Sequence, residues 1–286
     1  MAEFRYLSTM DNDIRTIPFS FVAETVSQID ARLDAIETND RVVISWAIES
    51  GSRAWGFPSP DSDYDCRFLF VRREDDYLSP WIRRDVIETP LEGDLDVNGW
   101  DLAKAIKLLL KGNAVVIEWL MSPIAYRGDP WMRDTLLDLA TRFTDRDAVA
   151  RHYVHLGEGQ RRSYFSDDKD VALKKLFYAL RPAAALRWMR LHADQRVAPM
   201  HFPTLMAQCE PPSDVMQIAS DLIALKATSK EMGSAPLPAA VKNFVDSEFA
   251  TAREIFAPRS KTLDAAAKEA AEALFRTAIR RYAPRP

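Results

Sequence analysis

The chain of 286 residues has room for one large domain or two modest ones, and its 47% hydrophobic and 28% charged residues are ordinary for a globular protein. A net charge of −4 argues against tight, sequence-blind binding to a long duplex, which asks for a basic protein. No apolar run reaches membrane-spanning length, Met1-Ala2-Glu3-Phe4-Arg5 lacks a signal-peptide core, and two cysteines, Cys66 and Cys209, build no disulfide framework, so the expected compartment is the reducing cytoplasm.

Residues 1–17 are polar and aperiodic and read as an irregular or partly ordered arm. After Pro18, Val22, Val26, Ile29, Leu33 and Ile36 recur at steps of four and three, the stripe of an amphipathic helix that ends at Asn39-Asp40. The apolar run Val42 to Ile48 then reads as a strand, and Phe68 to Val71 as part of a second. Between them stand Gly51-Ser52-Arg53-Ala54-Trp55-Gly56, a short helical turn, and a proline-bearing loop from Phe57 to Ser62. Backbone N–H groups at Gly51 and Ser52, just past a strand, are suited to cradle phosphate. Asp63 and Asp65 project to one face of an extended segment, and Arg67 joins them, while Cys66 points into the core. Two carboxylates on one face repel unless a cation separates them, and hard oxygen donors suit Mg²⁺ or Mn²⁺. A phosphate cradle beside such a site points to phosphoryl or nucleotidyl transfer. A solvated Asp-rich turn is the plainer alternative. An EF-hand loop matches at Asp61, Asp63 and Asp65 but fails at Cys66, where glycine belongs, and at Arg72, where glutamate belongs.

Arg72 to Asp85, charged and holding Pro80 and Trp81, reads as an exposed connection covering one edge of the site. Val86 to Thr89 and Leu95 to Trp100 read as further strands around a turn at Glu92-Gly93-Asp94. Asp101 is placed as an N-cap for a helix whose buried stripe is Leu102, Ile106, Leu109 and Leu110, with Gly112 as its stop and Lys104, Lys107 and Lys111 on a solvated side. Ala114 to Met121 reads as a buried helix stopped by Ser122-Pro123.

Gly51-Ser52 followed by Asp63-x-Asp65 at the start of the next strand resembles the signature of the DNA polymerase beta-type nucleotidyltransferase superfamily. The longer string through Asp65-Cys66-Arg67 is similar to one branch, the bacterial predicted nucleotidyltransferases associated with RNA repair. Leu95 to Leu102, Leu109 to Asn113 and Glu118-Trp119-Leu120 extend the match, which covers roughly residues 40–190. The resemblance implies a metal-dependent transfer of a nucleoside monophosphate from a nucleoside triphosphate to an acceptor hydroxyl, with an RNA 3′ end as the implied acceptor. Two-metal transfer wants a third carboxylate from a neighbouring strand. Asp94 and Asp96 share a face if Asp94 is extended. Asp96 matches the family position and is taken, with Asp94 as the alternate. Asp63, Asp65 and Asp96 are thus the expected metal ligands and Gly51 and Ser52 the holders of the terminal phosphates. Arg67 or Arg53 would add positive charge.

From about Pro130 strand signals vanish and helical patterns dominate: Trp131 to Arg142, Asp147 to Phe165, Asp170 to His192, and more as far as Tyr282. The expected fold is α/β, a small mixed sheet with flanking helices, followed by an all-α region. The expected division is a catalytic core over 18–125 and a helical domain over 126–286 that closes over the nucleotide. Lys174, Tyr178 and Arg181 fall on one helix face before a kink at Pro182, and suit a nucleotide's base and phosphates. Between Arg151 and Arg190 nine Lys/Arg stand against four Asp/Glu, a local +5. The plainer alternative is a solvated basic face with Tyr178 in the core. His152, His155, His192 and His201 lack cysteine partners for a zinc set, and His152 and His155 read as surface or capping residues. The base, the acceptor and the oligomeric state stay open. So do nucleotidylation of a protein or small molecule on the same core and a non-catalytic nucleotide-binding regulator.

Overall fold

The structure is a computed structural model and describes residues 4–6, 14–165, 170–256 and 263–284. In chain order it begins with β1 (Phe4–Tyr6), β2 (Thr16–Pro18), α1 (Ala23–Asp40), β3 (Val42–Glu49), α2 (Gly51–Trp55), β4 (Tyr64–Arg72) and α3 (Glu74–Leu78). Then come β5 (Val86–Glu88), β6 (Leu95–Asp101), α4 (Leu102–Leu110), α5 (Ala114–Met121), β7 (Ala125–Gly128), α6 (Pro130–Phe143) and α7 (Arg146–Tyr164). The remainder is β8 (Val171–Ala172), α8 (Leu173–Leu191), α9 (Phe202–Cys209), α10 (Ser213–Thr228), β9 (Ser234–Ala235), α11 (Ala239–Ile255) and α12 (Ala265–Tyr282). The α/β class with a following helical region is as the sequence predicts. No helix among the described residues is long and apolar enough to cross a membrane.

Seven strands form one mixed sheet in the order β1-β2-β7-β3-β4-β6-β5, and β8 and β9 form a separate two-residue ladder. Within the large sheet only β4 and β6 run parallel. One face is covered by α1, whose Val26, Ile29, Leu33 and Ile36 pack on Ile44, Cys66, Phe68 and Phe70. The other face, with Trp46, Ile48, Leu69 and Val71, is covered by α4, α5, α6 and α12. The period-two alternation of β4 sends Cys66 and Phe68 to one side and leaves Asp65 and Arg67 half-buried on the other.

The N-terminal segment takes the partly ordered alternative. β1 and β2 pair antiparallel, and Thr16 of β2 pairs with Ala125 of β7. β7 itself gave no sequence signal, being four residues long with a charge and a glycine in it. The segment after Arg72 does not border the aspartates. The chain leaves β4 at the end remote from Asp65, where Arg72 pairs with Asp101. The helical half has its own core, gathered on α8, α9, α10 and α11, and α8 is continuous through the buried Pro182. Phe57, which follows α2, joins this second core by stacking on Phe177 with ring centres 4.2 Å apart.

Candidate active site

The turn after β3 is where the sheet, the glycine-serine motif and the aspartates meet. Ser50 N donates to Asp65 O at 2.8 Å, and α2 starts at once with Gly51 at φ +60°. A Cβ at Gly51 would overlap the Asp65 carboxylate oxygen Oδ2, so only glycine lets this turn lie against that side chain. Ser52 Oγ donates to Ser62 Oγ at 2.9 Å, and Ser62 Oγ accepts from Ser59 N at 2.8 Å. Arg53 donates from Nε to Asp63 O at 3.1 Å and from Nη2 to Ser62 O at 2.5 Å, with its guanidinium 3.9 Å from the Tyr64 ring centre. Arg53 is therefore a clamp on the loop before Asp63.

The parallel register of β4 and β6 sets Asp65 opposite Asp96. The Arg67 guanidinium lies between them, with Nη2 3.3 Å from Asp65 Oδ1 and 2.6 Å from Asp96 Oδ2. Its Nη1 donates to Asp96 O at 2.8 Å and Cys66 O at 3.0 Å, and Asn98 Nδ2 donates to the second Asp96 oxygen. Burial, then the charges of Asp94 and Asp96, push the Asp63 carboxyl above its ordinary range. Burial also raises Asp65, with Asp96 and Asp63 adding to it against the pull of Arg67. Desolvation leads at both positions, and the neighbouring carboxylates add to it. Asp94 acts on Asp63 too, and its carbonyl accepts from Tyr64 N at 2.7 Å. Among the described residues no three acidic, His or Cys side chains are drawn together tightly enough to hold an ion as they stand, and the Arg67 guanidinium occupies the space between Asp65 and Asp96. In kind the donor set fits a hard divalent cation: carboxylate oxygens only, mutually repelling, beside a glycine cradle.

Beneath the aspartates lies a residue that sequence reasoning missed. Glu49, fully buried, accepts from Asp65 N at 3.0 Å and from the Tyr126 hydroxyl. Burial raises its carboxyl to about 8, which favours the neutral form beneath Asp65. The available signal was a carboxylate ending an apolar strand two residues before Gly51.

A cleft of about 440 Å³ opens over this floor. Gly51, Ser52, Asp63, Asp65 and Arg67 line it from the sheet side, and Lys174, Tyr178 and Lys226 from the helical side. Tyr178 is 39% exposed and opens onto the same cleft as Asp63, as its predicted face requires. Arg181 does not, and this corrects the prediction for it. It is 8% exposed, with Nη1 2.7 Å from Glu118 Oε1 and its guanidinium 4.2 Å from the Trp55 ring centre. A buried carboxylate on α5 draws it behind the cleft wall. Lys226 was not anticipated. Its Nζ donates to Phe57 O at 2.9 Å, and burial lowers it to about 8. A larger cavity, about 810 Å³ among Lys107, Phe143, Arg146 and Arg196, contains none of the cradle or aspartate residues.

The local +5 does not form one surface. Arg161 pairs with Asp246, Arg187 and Arg190 with Glu248, and Arg181 with Glu118, while Asp167, Asp168 and Lys169 lie outside the described residues. His152 caps α5, its Nδ1 accepting from Ala114 N at 2.9 Å, and burial lowers its pKa to suit that acceptor role.

Comparison with known proteins agrees with this geometry. The chain is 35% identical over 216 residues to "Uncharacterized protein YcgL" of Bacillus subtilis (strain 168), covering 76% of this chain and 82% of that protein. The model of the family described as "RNA repair pathway DNA polymerase beta family" (RlaP) matches residues 26–277, which takes in the cradle, the aspartates and the helical wall. The chain therefore belongs to the RNA repair pathway DNA polymerase beta family, a branch of the polymerase beta-type nucleotidyltransferases.

Proposed function

We propose that the protein is a divalent-metal-dependent nucleotidyltransferase that moves a nucleoside monophosphate from a nucleoside triphosphate to the 3′ hydroxyl of an RNA. The observation that carries this reading is the close approach of the Gly51 turn to Asp65, where even a Cβ would overlap the carboxylate, so that backbone N–H groups and carboxylates share one cleft floor. Membership of an RNA repair family supports the acceptor.

In this reading Gly51 and Ser52 hold the terminal phosphates through backbone N–H groups, and Tyr178 offers a ring face to the base. Lys174 and Lys226 add positive charge from the helical side. Asp63, Asp65 and Asp96 would hold Mg²⁺ or Mn²⁺, which when bound would neutralise triphosphate charge and acidify the acceptor hydroxyl. Arg67, which lines the cleft floor beside these carboxylates, would offer its guanidinium to phosphate oxygens. The acceptor oxygen bonds to the α-phosphorus, the bond from that phosphorus to the bridging oxygen breaks, and pyrophosphate leaves. The hydroxyl proton passes toward Asp96. Residues 18–125 act as the catalytic core and 126–286 as the closing wall, with α6 and α12 of the latter completing the core's covered face.

The test is incubation with each α-labelled triphosphate, Mg²⁺ or Mn²⁺, and RNA bearing a free or a blocked 3′ end. Label should enter the free-ended RNA with release of pyrophosphate. Transfer to the protein pool alone, seen by mass spectrometry, would replace the acceptor. No transfer to any acceptor with any triphosphate would overturn the reading.

A further inference from the structure

We propose that the acceptor strand leaves the cleft across an aromatic track made of Tyr178, Lys175 and Tyr164. The substrate class and Tyr178 are shared with the nucleotidyl-transfer reading above, whereas Lys175 and Tyr164 are residues that reading does not use. Tyr178 meets Trp55 edge to face at the cleft wall, with ring centres 6.2 Å apart. Lys175, beside Lys174 on α8, also lines the cleft. Its Nζ lies 5.0 Å from the Tyr178 ring centre and 4.4 Å from that of Tyr164, and donates to the Tyr164 hydroxyl at 3.4 Å. Tyr164, the last residue of α7, is not part of the cleft lining. One ammonium thus sits between two rings, one inside the cleft and one beyond its rim.

Both tyrosines keep a large share of their surface in solvent, 39% at Tyr178 and 38% at Tyr164. Aromatic faces alternating with a cation match the repeat of a single strand, in which bases stack and the phosphates between them take the charge. An ammonium has three donors, so Lys175 can keep its tyrosine partner and still bind a phosphate oxygen. A duplex does not fit, because its bases already stack on one another and the protein's net charge is −4. The track therefore favours an unpaired 3′ end over a blunt one.

The full chain is tested by fluorescence anisotropy with a 5′-labelled single-stranded RNA of about twelve nucleotides and a blunt duplex of the same length, in chelator and without triphosphate. Wild type should bind the single strand more tightly than the duplex. Tyr164→Leu should weaken single-strand binding about tenfold, and Tyr164→Phe should restore it. Lys175→Gln should lower the slope of log affinity against log salt by about 0.7. Triphosphate affinity of Tyr164→Leu, measured by calorimetry, should equal that of wild type. The track is overturned if Tyr164→Leu binds the single strand like wild type, if phenylalanine fails as leucine does, or if the duplex binds equally well. The first of these outcomes would make the two rings a protein-facing surface instead. Because no turnover is measured, these results stand apart from the pyrophosphate assay that decides the reaction itself.

Discussion

Replacing Arg181 with methionine separates a cleft residue from a structural one. Arg181 and Glu118 are 8% and 4% exposed, 2.7 Å apart, and the same Glu118 oxygen accepts from the Tyr153 hydroxyl at 3.0 Å. Methionine retains length and apolar contact with Trp55 but leaves the Glu118 carboxylate with one neutral partner. Orphaning a buried charge costs about 3–5 kcal/mol. With an unfolding entropy of ~2.1 cal/mol/K per residue and 286 residues, that loss lowers Tm by roughly 5–8 °C. The double variant Arg181→Met with Glu118→Leu removes both charges and should regain most of the loss, as apolar replacements of buried pairs do. Urea unfolding of wild type, both single variants and the double variant gives the coupling directly. A single-variant cost below ~1 kcal/mol, or a double variant as unstable as the two singles summed, would refute the buried-pair reasoning. A fully folded Arg181→Met protein whose KM for triphosphate rises steeply would refute the placement of this side chain behind the wall.

Three further expectations concern the cleft. Asp63→Asn with Asp65→Asn should abolish pyrophosphate release yet leave Tm in chelator unchanged or higher, because the substitution removes charges that burial and their neighbours already oppose; transfer by the folded double variant would rule out metal-assisted chemistry there. Gly51→Ala should lose triphosphate binding in calorimetry and cost about 1–2 kcal/mol for the left-handed backbone alone, more once the overlap with Asp65 is added; wild-type binding would remove the cradle from the reading. Lys226, lowered to about 8 by burial, gives a pH test. Its unfolded pKa is higher, so between pH 8 and about 10.5 the unfolded chain holds more protons and stability rises with pH through this group. Triphosphate favours the charged amine, so nucleotide affinity should fall as pH passes 8, and Lys226→Gln should flatten that fall; an unchanged profile would exclude the contact.

The local features of the site were legible because they depend on neighbours in the chain. A glycine-serine pair past a strand, and two aspartates separated by a core-facing residue, follow from backbone geometry within a few positions. Arg181 was misplaced because its fate is decided by Glu118, 63 residues earlier and buried by a different helix. The same reason defeats a linear charge count, since Arg187 and Arg190 are claimed by Glu248 from α11. β7 and the N-terminal strands were invisible because each is too short to show a period, and their pairing exists only once the sheet is assembled. Lys226 did leave a trace. It continues the buried stripe Val215, Ala219 and Leu222 of α10, where an apolar residue is expected, and a lysine on such a stripe calls for a nearby acceptor.

Phe57 ties the motion of the two halves together. Its ring stacks on Phe177 and meets Trp55 of the glycine turn, with Phe202 edge-on at 5.5 Å, and its carbonyl is held by Lys226. A hinge-like separation of the helices from the sheet must draw this ring out of its socket or drag Ser52, whose carbonyl bonds to Phe57 N at 3.0 Å. Losing a buried phenylalanine's packing costs about 3–5 kcal/mol, which holds such an open form between roughly one molecule in a hundred and one in several thousand. In the reading proposed above, a ligand would then enter through the standing mouth of the cleft without the two halves parting.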